Sequence, residues 1–265
     1  MDELAAALAF DRGLRARAAQ ETIELPEGLV VLHEPLRSMR YLNALILDAP
    51  LPEAFGPDEV TGLADVRLGH LPYRSVVVDD AAAAERLAPE LQRNGWTVER
   101  TLFMRWRPDA EIGISADLAR EISDDELRML QREIHREEHA GASAVAEALS
   151  ATLIAGQDAM RVTTRARCFG AGAEGELSAS CTLFFDRPDG EGGLALIDEV
   201  GTLSTQRRRG FGRAVVAAAL EAARREGCAP IFLPADAEDW PRGMYERMGF
   251  EPLGTQVTFT LHPDG

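Results

Sequence analysis

Hydrophobic positions along this chain follow helical spacing in some stretches and extended spacing in others, which indicates a mixed α/β fold. In the first half the spacing predicts helices over 3–20 and 81–93, and strands over 24–33, 43–47, 74–78 and 96–106. The order strand, helix, Gly-aromatic, strand returns at 230–261, where Gly249-Phe250 takes the place of Gly95-Trp96. We therefore expect an internal repeat, in which Leu91 corresponds to Tyr245.

The second half predicts helices over 123–139, 143–156, 214–225 and 240–248, and strands over 160–169, 176–185 and 194–203. Turn-rich segments separate these three strands, so we expect an antiparallel meander. A chain of 265 residues can form two domains. Because Arg107-Pro108-Asp109 interrupts the pattern, we predict domains over 1–107 and 108–265.

Composition narrows the class of protein. With 46% hydrophobic and 27% charged residues, the chain is neither disordered nor fibrous. Its 28 basic and 44 acidic residues give a net charge of −16, which argues against nucleic-acid and anionic-membrane partners and favours a cationic one. The acidic start Met1-Asp2-Glu3 and three cysteines without CxxC spacing lead us to expect a cytoplasmic location.

An arginine-rich loop runs from Ser204 to Arg213 directly into a predicted helix. Gly210 and Gly212 permit a tight turn that exposes successive N–H groups at the helix N-terminus, where an anion such as a pyrophosphate is favoured. Four arginines surround this point on an acidic protein: Arg207, Arg208, Arg209 and Arg213. The loop matches neither a P-loop nor a dinucleotide fingerprint, so it predicts either a different phosphate-containing ligand or an ordinary arginine-rich loop before a helix.

The order of motifs in this half resembles the GNAT acetyltransferase superfamily. The family's Arg/Gln-x-x-Gly-x-Gly/Ala motif is similar to Arg207 to Gly212, its preceding strand to Asp198 to Leu203, and its Tyr-x-x-x-Gly-Phe to Tyr245 to Phe250. The resemblance implies a mixed, mostly antiparallel central sheet flanked by helices, in two tandem copies. No such loop precedes Arg74, so the first copy is expected to be degenerate and only the second to bind acetyl-coenzyme A.

The resemblance also implies roles for individual residues. Acetyl-coenzyme A is expected at the strand residues Val200, Gly201, Thr202 and Leu203 and at the loop residues Arg207, Arg208, Arg209, Gly210, Phe211, Gly212 and Arg213. Tyr245 would donate a proton to the departing thiolate; the alternative is a core aromatic.

The catalytic base is a more open question. Glu199 and Asp198 lie at the strand end, and alternation places Glu199 on the face of Gly201 and Leu203 unless the strand is bulged. We take Glu199 as the first candidate, with Asp198, a water chain or no dedicated base as alternatives.

These expectations combine into an N-acetyltransferase that moves acetyl to a primary amine of a small molecule or a peptide. The alternative is a non-catalytic acyl-coenzyme A sensor or pseudo-enzyme. Two further patterns resemble functional motifs but are expected to be structural. The segment from His135 to His139 resembles a zinc-peptidase motif but fits a solvated helix face, so no metal is expected. Gly170 to Gly175 matches a dinucleotide fingerprint but precedes a strand, which indicates a hairpin.

Overall fold

A computed structural model describes residues 2–48, 50–112, 118–138, 143–173, 175–187, 192–238 and 241–263. The helices are α1 (Glu3–Ala18), α2 (Pro57–Leu68), α3 (Ala81–Arg93), α4 (Asp124–Glu138), α5 (Ala144–Thr163), α6 (Phe211–Arg225) and α7 (Pro241–Arg247). The strands are β1 (Glu21–Leu25), β2 (Gly28–Leu32), β3 (Ala44–Leu47), β4 (Arg74–Val78), β5 (Thr97–Trp106), β6 (Ala119–Ile122), β7 (Ala166–Ala173), β8 (Glu176–Phe185), β9 (Ala195–Thr202), β10 (Ile231–Asp236) and β11 (Phe250–Leu261).

The series helix, three strands, helix, strand, helix, strand occurs twice, from α1 to β5 and from α5 to β11. Most strand pairs are antiparallel, and β3–β4 and β9–β10 are parallel. The expected fold class, a mostly antiparallel sheet flanked by helices and present in two copies, is confirmed. None of the described helices has the length and apolar character needed to cross a membrane.

The chain forms two compact units. Unit 1 comprises Met1–Phe103, Ala235–Asp239 and Leu253–Gly265; unit 2 comprises Met104–Pro234 and Trp240–Pro252. The C-terminal stretch joins unit 1 because β11 pairs antiparallel with β4, from Val257 opposite Val78 to Leu261 opposite Arg74. The domain boundary at 107/108 stays a prediction, and the compact units are not two consecutive segments.

Unit 1 covers its sheet on both faces. Val30 and Leu45 point into a core with α2 and α3, whereas Leu29 and Ile46 point to the opposite face, beside Ala16 of α1. Burial on both faces explains the continuous apolar runs in β2 and β3. The single strand predicted over 24–33 is instead the hairpin β1–β2, which turns at Pro26-Glu27-Gly28.

Unit 2 holds the strand order β10-β9-β8-β7-β6, and β7, β8 and β9 form the expected antiparallel meander. The two faces of β8 carry different chemistry. Cys181 contacts the carbonyl of Val215 in α6, whereas the hydroxyl of its neighbour Thr182 binds Glu199 on the opposite face. Helix α6 packs its apolar face on one side of this sheet, and the polar face of β8 lies on the other.

Two predicted bounds were wrong, and two elements were not predicted. Helix α5 continues through Gly156 to Thr163, because Gly156 is buried within the helix rather than ending it. Residues 160–163 therefore belong to a helix, and β7 begins at Ala166. Helix α2 and strand β6 escaped prediction because each buries few side chains: Val60, Ala64 and Leu68 in α2, and Ile122 in β6.

Candidate active site

One edge of β9 in unit 2 is unpaired over most of its length, and the space beside this edge is called the cleft. Strand β9 pairs with β10 at Ala195–Ile231 and Leu196–Phe232, and the pairing ends there although β9 continues to Thr202. Because β10 no longer pairs with this part of β9, the backbone edge of β9 from Ile197 onward faces the cleft. Such an edge can bind an extended ligand through main-chain hydrogen bonds.

A β-bulge interrupts β9 within this cleft. The register of β8 against β9 shifts between two pairs, Ser180–Gly201 and Thr182–Asp198. Glu199 and Val200 both lie between these pairs, and Glu199 adopts a positive φ of 56°. A bulge leaves the backbone of its extra residue unpaired and redirects a side chain, so the simple alternation along β9 does not hold here.

The bulge directs Glu199 into the interior, where its carboxylate binds two partners. Oε2 accepts a hydrogen bond from Thr182 Oγ1 at 2.6 Å and from Arg161 Nη1 of α5 at 3.1 Å. The side chains of Arg161 and Glu199 are only 4% and 5% exposed. Burial raises the pKa of Glu199, whereas Arg161 and the Thr182 hydroxyl act in the opposite direction. A carboxylate with these competing influences can serve as a proton acceptor.

The arginine-rich loop joins β9 to α6. A 3₁₀ turn over Ser204–Gln206 leads to Gly210, which adopts φ 91° at the N-cap of α6 without a side-chain cap. The first N–H groups of an α-helix have no acceptor within the helix, so those of Phe211, Gly212 and Arg213 can bind an anion. A Cβ at Gly212 would lie 3.0 Å from Thr202 Oγ1, which shows how closely the helix start approaches the end of β9.

All four arginines at this loop are exposed. Arg207 Nε lies 3.4 Å from the carbonyl oxygen of Thr202, and the guanidinium of Arg209 lies 5.2 Å from the ring centre of Phe211 and binds the side chain of Gln206. Long cationic side chains around an uncapped helix N-terminus suit a polyanionic group.

Tyr245 lies on α7 and is 5% exposed. Its ring meets that of Phe250 edge to face, with ring centroids 5.9 Å apart. Gly249 ends this segment with φ 91°, and the carbonyl of the preceding Met248 accepts a hydrogen bond from Trp106 Nε1. The motif predicted from the sequence therefore forms a helix followed by a tight turn into β11.

Comparison with known proteins agrees with this architecture. Residues 128–250, from α4 to the start of β11, match the acetyltransferase (GNAT) family. Residues 128–250 are therefore a GNAT acetyltransferase domain. The expectation of an acyltransferase of this family is confirmed, and acetyl-coenzyme A is the general co-substrate of the family.

Solved structures resemble the whole chain in fold. A GCN5-related N-acetyltransferase from Kribbella flavida is 17% identical, with 98% of this chain and 96% of that chain covered and a TM-score of 0.63. A functionally unknown conserved protein from Staphylococcus epidermidis is 13% identical, with 91% and 92% covered and a TM-score of 0.63. A tandem GNAT protein from the clavulanic acid biosynthesis pathway is 14% identical, with 98% and 92% covered and a TM-score of 0.56. No curated protein matches the chain.

The corresponding region of unit 1 differs from the GNAT domain in two ways. Strands β3 and β4 pair to their ends, at Leu45–Val76, Ile46–Val77 and Leu47–Val78, so no cleft opens between them. Helix α2 begins at Pro57, and Glu59 Oε2 accepts the N–H of Gly56 at 2.9 Å. A carboxylate thus occupies the helix terminus that binds anions in other helices. The correspondence of Leu91 with Tyr245 stays a prediction.

Two further sequence patterns lie at the end of α4 and between β7 and β8. His135 Nδ1 lies 3.1 Å from Ser150 Oγ, while His139 and the side chain of Glu138 lie outside the described residues. In the part of the chain that the structure describes, no cluster of His, Cys, Asp or Glu could hold a metal ion. The Gly170–Gly175 pattern ends β7 and begins the hairpin to β8, as predicted.

Sequence reasoning missed Arg161 and Thr182, the partners of Glu199. Arg161 was placed in a predicted strand, and only its position in α5 brings it to Glu199. The alternation of small polar residues in β8, at Ser178, Ser180 and Thr182, was the available signal for a polar face.

Proposed function

We propose that the GNAT domain of this chain transfers the acetyl group of acetyl-coenzyme A to a primary amine by direct attack. The observation that carries the proposal is the early separation of β9 from β10, next to an uncapped helix N-terminus. Unit 1 has neither feature, so we propose a single site per chain.

The residues around the cleft fit acetyl-coenzyme A. The pyrophosphate would bind the N–H groups of Gly210, Phe211, Gly212 and Arg213 and the positive charges of Arg207, Arg208 and Arg209. The backbone of Val200, Gly201, Thr202 and Leu203 would pair with the amides of the pantetheine arm. The N–H of Glu199 already donates to Asp198 Oδ1 at 2.7 Å, so another backbone N–H near the bulge would bind the thioester oxygen as negative charge develops on it.

Two side chains would take part in proton transfer, one as acceptor and one as donor. Glu199 would accept the proton that the amine loses, and Tyr245 would protonate the departing thiolate. A phenol with a pKa of about 10 and a thiol with a pKa of about 8.5 are close enough for this transfer. The roles of both residues rest on their motif positions and on the burial of Glu199 beside the cleft.

The proposed acceptor class rests on the net charge of the chain, and the proposed location rests on its cysteines. An acidic chain favours a cationic acceptor, so we propose an amine of a small molecule or a peptide that is protonated in solution. Three buried, free cysteines suit a reducing compartment, and we propose a cytoplasmic location.

Calorimetric titration with acetyl-coenzyme A tests the cofactor site. The double variant Arg209→Glu, Gly212→Asp places negative charge at the start of α6, and we expect it to abolish binding, whereas the parent binds about one equivalent per chain. The double variant Gly62→Asp, Arg93→Glu makes the same change of charge in unit 1, where Gly62 lies in α2 with open space around its Cβ position. It should bind like the parent.

The outcomes separate the candidate functions. Binding followed by acetylation in a screen of primary amines supports the enzyme. Binding without turnover on any amine supports the acyl-coenzyme A sensor. If the parent does not bind acetyl-coenzyme A, the loop is structural and the proposal fails.

A further inference from the structure

A cavity of about 460 Å³ lies between α4 and the start of β8 in unit 2, and we call it the α4–β8 cavity. Its walls include Met129, Leu130 and Glu133 of α4, Glu176 and Leu177 of β8, and Gln206 of the arginine-rich loop. Sites for small molecules are usually clefts of about 300–1,000 Å³, so this space is large enough for a ligand of several heavy atoms. The acetyl transfer proposed above does not use it.

The α4–β8 cavity is separate from the cleft beside β9. Strand β8 pairs with one edge of β9, whereas the cleft lies at the opposite edge, where β9 pairs with β10 at two positions only. The cavity is lined by the first residues of β8, Glu176 to Ser178, and so lies on the β8 side of β9. A ligand in the cavity therefore need not compete with an extended ligand in the cleft.

One part of the cavity wall is apolar. Leu130 is 3% exposed, and Leu177 packs against the buried side chain of Ile122. Met129 is 66% exposed, although methionine is ordinarily a core residue. A hydrocarbon chain placed against these side chains would leave water together with them, which is favourable in proportion to the apolar area that is buried.

The polar part of the wall carries an excess of negative charge. Glu126 accepts hydrogen bonds from Arg120 at 2.6 Å and from the N–H of Ser123, which lower the pKa of Glu126 to about 2, so its charge is already balanced by Arg120. The side chains of Glu133 and Glu176 have no hydrogen bond or ion pair in the part of the chain that the structure describes. Two such carboxylates beside an apolar wall favour a ligand with a positive charge and a hydrocarbon part.

We propose that the α4–β8 cavity binds a small amphipathic cation. Its ammonium group would form charge-assisted hydrogen bonds with Glu133 and Glu176, and its hydrocarbon chain would contact Met129, Leu130 and Leu177. The ligand is bound without a covalent step. This binding does not depend on the proposed acetyl transfer.

An occupied cavity also changes the charge beside the arginine-rich loop. Gln206 lines the cavity, and its side chain binds the guanidinium of Arg209. Glu133 and Glu176 repel an anion at this loop, and a bound ammonium offsets their charge. If the loop binds acetyl-coenzyme A, the cation should raise that affinity by about threefold at low salt, and acetyl-coenzyme A should raise the affinity for the cation by the same factor. Only this consequence rests on the proposed function.

Calorimetric titration with N,N-dimethylhexylamine at pH 7.5, without acetyl-coenzyme A, tests the site. This tertiary amine is protonated at that pH and has no N–H in its neutral form for acetylation. We expect about one equivalent to bind per chain, and 1-hexanol and hexanoate, which lack the positive charge, to bind at least about tenfold more weakly. Shortening the chain from hexyl to propyl should weaken binding by about threefold for each methylene removed.

A pair of double variants locates the charge that the ligand contacts. Glu133→Gln with Glu176→Gln changes two exposed side chains, and we expect it to weaken binding of the amine by about tenfold or more. Glu147→Gln with Glu238→Gln changes the net charge equally, at exposed glutamates that do not line the cavity. This control should bind the amine like the parent.

The apolar wall is tested in the same way. Met129→Gln should weaken binding by about threefold, because part of the apolar contact is lost. Val162→Gln is the matched control, since Val162 is 84% exposed on α5 and lies outside the cavity wall. Both substitutions are at exposed helix positions, so both variants should fold like the parent.

Three results would overturn the cation site: no binding by the parent, equal binding by the parent and the Glu133→Gln, Glu176→Gln variant, or 1-hexanol binding as tightly as the amine. A parent that binds the amine but not acetyl-coenzyme A contradicts the proposed function and supports the cavity site. If both ligands bind and neither changes the affinity for the other at low salt, the site is supported and the effect on the loop is wrong.

Discussion

Tyr245 combines a packing role with a proposed chemical role, and the two can be separated. Its ring packs against Phe250, and a Tyr245→Phe variant keeps that ring contact while removing only the hydroxyl. We expect turnover to fall by about a hundredfold from pH 6 to 9, because the thiolate loses its proton donor. The affinity for acetyl-coenzyme A should stay within about twofold, since the ring does not bind the phosphates.

The free energy of unfolding, measured with urea, serves as the control for this variant. Loss of one hydroxyl in a well-packed site changes it by about 1 kcal/mol. If turnover of Tyr245→Phe equals that of the parent at every pH, Tyr245 is a core aromatic and a different group protonates the thiolate.

Individual residues could be identified from the sequence where a motif fixes their spacing. The loop from Arg207 to Arg213 was predicted in this way and Glu199 from its position at a strand end, and in the structure they lie between β9 and α6 and in β9 respectively. The direction of the Glu199 side chain could not be derived, because it depends on a bulge that adds one residue to β9 relative to β8. Nothing in the composition of β9 marks that extra residue, since the positive φ is adopted by a glutamate rather than a glycine.

At the scale of elements, the contact between α5 and β9 depends on the ion pair of Arg161 with Glu199. Removing one partner of a buried pair leaves an uncompensated charge and typically costs about 3–5 kcal/mol. We therefore expect Arg161→Met to lower the free energy of unfolding by about that amount at pH 7.5.

The pH dependence of this loss has a definite sign. In the native state burial raises the pKa of Glu199, and without Arg161 the pKa rises further. A carboxyl whose native pKa lies above its unfolded value binds protons more tightly when folded, so folding becomes less favourable as pH rises from the unfolded pKa to the native one. The difference between Arg161→Met and the parent should therefore shrink as pH falls from 7.5 to 5.

Urea unfolding at several pH values measures this difference. Arg128→Met is the matched control: Arg128 pairs with Asp158 and Asp125, but its side chain is 31% exposed. Partly exposed pairs contribute about 1 kcal/mol or less, so this control should lose little stability at either pH. A loss for Arg161→Met that does not change with pH would contradict the assignment of Glu199 as the group that responds.

Elements with strong patterns were predicted closely, and those without them were not. Helix α3 and strands β4 and β8 have the predicted bounds, because each has an uninterrupted apolar pattern between clear turn residues. The end of α5 was misplaced because a glycine inside a helix cannot be distinguished from a terminating one without knowing what packs on it. Because of that error Arg161 was assigned to a strand, and its contact with Glu199 was not predicted.

At the scale of the whole molecule, the two copies share one order of elements but differ in strand pairing and in the start of the helix that follows. In the GNAT domain β9 and β10 separate after two residue pairs, whereas β3 and β4 of unit 1 pair through the last residue of each strand. Helix α6, which follows β9, has Gly210 at its N-cap and no acidic residue in its first turn. Helix α2, which follows β3, has Asp58 and Glu59 in its first turn. The partly unpaired strand edge and the uncapped helix N-terminus thus occur together in the GNAT domain and are both missing from the described residues of unit 1, which supports the proposal of a single site per chain.

Strand β11 supplies part of the core of unit 1, and this predicts how a fragment without β11 unfolds. Val257 and Phe259 of β11 are 1% and 0% exposed and belong to the core that α2 and α3 form with the sheet. A fragment of residues 1–107 lacks both side chains and leaves the edge of β4 unpaired. Since loss of one buried phenylalanine costs about 3–5 kcal/mol, a large share of a domain's stability, we expect this fragment not to unfold cooperatively.

A peptide of residues 250–263 supplies the missing strand and should restore cooperative thermal unfolding of the 1–107 fragment, followed by circular dichroism. The same peptide with Val257→Asp and Phe259→Asp should not, because charged side chains cannot enter the core that these residues fill. If the fragment alone unfolds cooperatively, at a temperature that the peptide does not change, then β11 is dispensable for unit 1. In that case the first copy is a self-sufficient domain, and the boundary predicted after residue 107 is also a folding boundary.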